Sequence, residues 1–362
     1  MIRIIIAATL CLAVLGCANI SYYAQATEGQ MQLMAAARPI PEVLKDPATD
    51  PGLRRQLEQV IAIREFATRE LALPDNGSFR SYADLGRPFV VWNVFAAPEF
   101  SLDLQQWCMI FVGCVNYRGY FRKDDAELYA GKLSRAGSDT YVGGVSDYST
   151  LGYFNDPVLN TFLRFGDKEV AHIIFHELAH QIVYAEGDTT FNESFAMAVE
   201  NEGMRRWLTG KKPPEQLGDF EMQQEHDAQF HRLVEDNRDK LRAIYASALT
   251  PEEMRRAKAE VFTAMKRGYA DLKADWGGDA RYDRWFSQQL NNAALGSVTL
   301  YAKWVPAFQS LLEQEGGDLP RFYQRVVALA RLSKTERTAA LDQLLPNRPA
   351  SSRPSPYLLA YK

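Results

Sequence analysis

The chain has 362 residues, 41 Lys and Arg against 45 Asp and Glu, and a net charge of -4, with 47% hydrophobic and 24% charged residues. This length and balance describe one large or two modest globular domains with a substantial core. The mildly acidic charge, without any basic stripe, excludes nucleic acid as the expected partner.

Arg3 precedes an uncharged stretch, 4–16, of signal-peptide length and too short for an ordinary membrane-spanning helix. It ends Val14-Leu15-Gly16-Cys17, which resembles a bacterial lipobox with Cys17 as the lipidated residue, although Leu15 is bulkier than usual there. The resemblance implies a lipoprotein signal over 1–17 and a membrane anchor at Cys17. Ala18 and Asn19 lack the acidic residue linked with inner-membrane retention, which directs the expectation to the outer membrane, facing the periplasm.

Leu53, Leu57, Val60, Ile61 and Phe66 fall at helical spacing and predict an amphipathic helix ending near Pro74. Strand-like runs follow at 89–97, 109–115 and 140–145. Cys108 and Cys114 flank the apolar run 109–113, and in an oxidising compartment they are expected to form a disulfide; two buried thiols are the alternative. A zinc role for this pair has no nearby His or Cys to support it.

The window 167–183 has no Gly or Pro and reads as one helix running to about Tyr184, and inside it lies His176-Glu177-Leu178-Ala179-His180. Histidines four apart share a helix face, one turn above each other. They can grip one zinc ion while the glutamate between them reaches the metal-bound water. After the turn-rich run 186–190, a returning helix brings Glu193 in its first turn, as the third ligand of an open zinc site. Glu200 is placed to orient a ligand by a hydrogen bond, and His172, four before His176 on the same face, is open as a cleft or supporting residue, with a packed helix histidine the preferred reading.

HExxH followed by Asn192-Glu193-Ser194-Phe195-Ala196 resembles the gluzincin metallopeptidases. Together with 143–152, 188–196 and Asn291-Asn292-Ala293-Ala294-Leu295, it is similar to a bacterial aminopeptidase family over most of the chain. The resemblance implies a zincin-like fold, His176, His180 and Glu193 as Zn2+ ligands, and Glu177 as general base. The twelve-residue gap between His180 and Glu193 is shorter than usual for gluzincins, and no Gly-Ala-Met-Glu-Asn-like segment is present. By the same analogy, 141–148 is an edge strand that pairs with a peptide substrate.

The remaining chain reads as long helices, with capping boxes at Thr250 and Ser333 and core positions at Leu311, Leu312, Phe322, Val326, Val327 and Leu329. The fold class is therefore α+β, mainly α with a small β-sheet. A convenient division gives a signal at 1–17, a catalytic part at 18–210, a helical part completing the cleft at 211–345, and a Pro/Ser-rich tail at 346–362. The expected chemistry is hydrolysis of a peptide bond in the cell envelope by zinc-activated water. An oxyanion donor is open among Tyr301, His226 and His231, and Asp147 or Glu99 could receive a substrate ammonium. Zinc endopeptidase, peptidoglycan amide hydrolase and non-catalytic binding lipoprotein are the alternative readings.

Overall fold

A computed structural model describes residues 20–109, 113–209, 215–299 and 303–345. Cys17 with the rest of the expected signal, Tyr301 and the tail beyond 345 lie outside the described residues. The architecture is mainly helical with three small sheets, as expected. Helix α1 covers 20–36, α2 Ile40–Lys45, α3 Pro51–Leu71, α4 Lys123–Arg135, α5 Asn160–Leu163, α6 Asp167–His180 and α7 Thr189–Thr209. Then come α8 Glu215–Tyr245, α9 Pro251–Asp275, α10 Asp283–Phe286, α11 Asn292–Thr299, α12 Val305–Gln314, α13 Leu319–Ala330 and α14 Lys334–Leu344. The strands are β1 Arg38–Pro39, β2 Ser81–Ala83, β3 Val91–Pro98, β4 Trp107–Met109, β5 Gly113–Val115, β6 Arg118–Tyr120, β7 Ser138–Val145 and β8 Val158–Leu159.

The central sheet runs β6-β3-β7, antiparallel throughout, with Phe95 opposite Tyr141 and Asn93 opposite both Gly119 and Gly143. One face, through Trp92, Val94 and Tyr120, packs on α4. The other carries Phe95 and Ala97 against Ala293 of α11. Among the described residues β7 pairs only with β3, which makes it an edge strand. The expected strand at 109–115 is instead two short strands: Gly113, with φ of 71°, opens the return, and Cys108 is disulfide-bonded to Cys114 across β4 and β5. Left-handed backbone of that kind suits glycine.

Apolar residues of α3, α6 and α7 form the main core, and α12, α13 and α14 close over it. Gly203 permits the approach of α7, since a Cβ there would stand 2.8 Å from both Leu71 and Phe175. A second core, rich in aromatics, belongs to α8 through α11: Phe230, Met265, Tyr269, Trp285 and Phe286 are buried in it. Asn292 joins this core to the sheet. Its backbone N–H donates to Asp139 (2.9 Å), its amide donates to the carbonyls of Glu99 (2.9 Å) and Pro98 (3.2 Å), and its Oδ1 accepts from Tyr245 (2.8 Å). Asn291 adds a bond to the Thr140 carbonyl (2.8 Å). The run 291–295 is thus a structural junction, with the side chain of its buried asparagine satisfied at both ends. The capping boxes at Thr250 and Ser333 both form.

Candidate metal centre

Gly166, at φ 90°, precedes α6, and Asp167 and Glu169 occupy its first turn, where the helix dipole favours acids. Val170, Ile174 and Leu178 are buried in the main core. His172, His176 and His180 follow one another at intervals of four along a single face. The helix stops at His180 rather than near Tyr184, for a reason supplied by the next helix. Asn192 donates to the Ala185 carbonyl (2.9 Å) and accepts from the Ala185 N–H (2.7 Å), capturing backbone groups that a longer α6 would have used. Ahead of α7, Asp188 accepts from the Phe191 N–H (3.3 Å) and pairs with Arg337 of α14 at 2.9 Å, both side chains being buried. Phe191 and Phe195 pack on Phe308 at ring separations of 5.3 and 5.8 Å. That leaves Glu193 and Glu200, seven residues and so about two turns apart, on the face toward α6.

The two helices bring His176, His180 and Glu193 together, with one donor atom from each within 4.8 Å of the others. The Nε2 atoms of the histidines are 3.2 Å apart, and Glu193 Oε2 lies 3.3 Å from His176 and 3.7 Å from His180. Ligands at the usual zinc distances from a tetrahedral ion stand roughly 3.3 Å from one another. Two imidazole nitrogens and a carboxylate oxygen facing one space fit a metal ion, so this set could hold one. Glu193 stands in the second turn of α7 rather than the first.

Glu200 ties the site together from behind. Its Oε2 is 2.9 Å from His176 Nδ1 and its Oε1 is 2.6 Å from His172 Nδ1. Burial opposes ionisation of both Glu193 and Glu200, but the neighbouring histidines overcome it and hold each carboxyl at about 2. Burial lowers the proton affinity of His172 and His176, and the neighbouring carboxylates more than reverse this, raising both. His180 Nδ1 is buried without a partner among the described residues, so the two facing imidazoles are not equally braced.

Glu177 is buried. Burial pushes its carboxyl well above the usual range, His176 draws it back, and Asp147, just beyond β7, raises it through charge and a shared hydrogen bond. Glu169 is exposed to solvent yet hemmed in: desolvation raises it, His172 lowers it, and Glu200, Asp147 and Asp227 raise it further. The mouth beside His172 is therefore acidic. Glu99, the other carboxylate expected to serve an ammonium, is held by Arg255 at 2.6 and 2.9 Å. His226 stacks on Trp276 (centroids 4.7 Å) with Asp279 3.4 Å away, and burial lowers His231. Two tyrosines that the sequence did not single out feel the charge of Glu193. Burial, then Glu193 and Glu186, pushes Tyr184 up to about 12; burial, then Glu193, Tyr184 and Glu177, raises Tyr117 well above its ordinary value. Only the tertiary fold puts Tyr117 here, so no local signal could have found it.

The model of a family described as "Putative aminopeptidase" matches residues 21–341. The chain belongs to this family. The aminopeptidase family match includes both helices of the candidate site, the central sheet and the second core, and it implies a peptide substrate. No curated protein and no solved structure matches the chain.

Proposed function

We propose that the protein is a zinc-dependent aminopeptidase of the bacterial cell envelope, anchored by lipid at Cys17 in the outer membrane and facing the periplasm. The observation that carries the reading is the convergence of His176, His180 and Glu193 on one space, with Glu177 beside it and Glu200 behind. Two histidines, a carboxylate and an open position are the donor set of a catalytic zinc. Bound there, the ion supplies an acidified water and polarises the scissile carbonyl. Glu177 takes the water proton and delivers it to the departing amine. Asp147, which shares a hydrogen bond with Glu177, is the carboxylate offered to a substrate ammonium, and the acidic surroundings draw cationic ends inward. Edge strand β7 offers its backbone to the peptide main chain.

Metal content of the full chain in detergent, measured beside His176→Ala and Glu177→Gln, tests the reading together with cleavage of free and N-acetylated peptides. About one zinc per chain is expected in wild type and Glu177→Gln, little in His176→Ala, and cleavage by wild type alone. Abolition of cleavage by acetylation supports the aminopeptidase; indifference to acetylation supports an endopeptidase. Well-folded wild-type protein that takes up no metal removes the site.

A further inference from the structure

Helix α1 carries small and apolar residues on two opposite faces, and the fold covers one of them. Tyr22, Ala26, Gly29 and Leu33 follow at intervals of four, three and four on the inward face. Leu33 is buried in the main core. Gly29 leaves room for the Phe121 ring, which a Cβ there would meet. The Arg118 guanidinium stands 4.1 Å from the centre of the Tyr22 ring. Gln25 adds two bonds at the end of β6: its amide donates to the Gly119 carbonyl (3.4 Å), and its Oε1 accepts from the Phe121 N–H (3.1 Å). Helix α1 is thus fastened to the edge of the central sheet.

Ile20, Ala24, Thr27 and Met31 repeat the same intervals on the outward face, and all four are exposed. Ile20 is 69% and Met31 67% exposed, an unusual cost for large apolar side chains on a helix already packed from behind. Glu28, at the border of this stripe, is the only charged residue in 20–36. Cys17 precedes Ile20 by three residues, a stretch that spans at most about 10 Å in any conformation. A lipid on Cys17 therefore holds the start of α1 at the headgroups. Crossing is not the outcome, since among the described residues no helix is long and apolar enough to span a membrane. We propose that α1 lies along the bilayer, with Ile20, Ala24, Thr27 and Met31 in the boundary between headgroups and acyl chains. The proposal rests on the lipid-anchor reading and extends it: because α1 is fastened to the sheet, the contact holds the whole body in one orientation to the membrane. Residues 20–36 contain no Lys or Arg, so the contact is apolar and makes no demand for anionic lipid.

The test uses the lipidated protein in phosphatidylcholine vesicles, with an environment-sensitive fluorophore on the thiol of Ala24→Cys or Met31→Cys. Cys108 and Cys114 are held in their disulfide and do not take the label. Quenching by lipids brominated in the acyl chains is then read for each site. The two sites are seven residues, about 10 Å, apart along the helix. An anchor with the helix standing off the surface quenches at Ala24 and leaves Met31 bright. A helix lying on the bilayer is expected to quench both by about twofold or more, to similar extents, with or without anionic lipid. A bright label at Met31 overturns the proposal. A blue-shifted label at Met31 that brominated lipid does not quench also overturns it, and assigns the stripe to a second copy of the chain. The mass of the N-terminal peptide reports acylation separately. Should Cys17 carry no lipid, the anchor reading falls by itself, and the same labels on the unacylated chain decide the surface. Quenching by added vesicles then sustains the contact, and none removes it.

Discussion

Glu200 holds His176 by the imidazole nitrogen opposite the one that faces Glu193, at 2.9 Å from Nδ1. The bond occupies Nδ1, so Nε2, facing His180 and Glu193, is the nitrogen a metal ion would take once it displaces the proton there. Replacing Glu200 by Ala is expected to weaken metal binding by about 10- to 100-fold, read by competition with a chromogenic chelator. An unchanged affinity would show that the carboxylate does not orient the ligand.

Stability of the metal-free protein should depend on pH on both sides of a plateau. His172 and His176 bind protons more tightly when folded, so their contribution is present below the ordinary value of 6.5 and disappears as pH rises through their raised values. Glu193 and Glu200 are held at about 2, so theirs is present above 4.5 and disappears as pH falls toward 2. The midpoint of thermal unfolding is therefore expected to be highest between about 4.5 and 6.5 in chelator-treated protein. Metal competes with the proton on His176, so metal affinity should climb over the range where the stripped protein weakens. A metal-free unfolding profile that rises into the alkaline range would contradict this.

Arg337 and Asp188 form a buried pair at 2.9 Å, and Asp188 also starts the helix that bears Glu193. Arg337→Met leaves the carboxylate buried without its partner, at an expected cost of about 3–5 kcal/mol in urea unfolding. Adding Asp188→Ala to that variant should recover part of the loss, because no unpaired charge then stays inside. Equal losses in the single and double variants would mean that packing, rather than charge, is responsible.

The Cys108–Cys114 bridge closes a short loop, so its constraint on the unfolded chain is small. Serine at both positions is expected to destabilise the protein by about 2 kcal/mol, and dithiothreitol should have the same effect on wild type. A reductant effect that persists in the double-serine variant would assign the sensitivity elsewhere.

Much of this molecule is legible in order along the chain. The spacing of His176, His180 and Glu193 carries enough information to bring three side chains together, because helix geometry and a short reversal decide their approach. Both capping boxes and the disulfide are equally local. The end of α6 is not: Asn192, which belongs to α7, takes the polar backbone groups of Ala185 that set the turn. Helix α4 between strands of one sheet, and His172 as a partner of Glu200, also depend on packing between distant segments. The face of His172 is legible, but the choice between packing and support of the site is not, because nothing in its own helix marks the carboxylate that meets it.

All three candidate donors fall between residues 176 and 193, on two helices joined by a short turn. Bringing the ends of so short a segment together costs only about 2.5 kcal/mol of chain entropy, so the site depends far less on the rest of the fold than one drawn from distant strands. If the hairpin formed early, its donors would not have to wait for α8, α9 or the sheet in order to meet a metal ion. Loading would then precede the closing of the cleft, and an ion taken up early would stiffen the hairpin on which the later pieces settle.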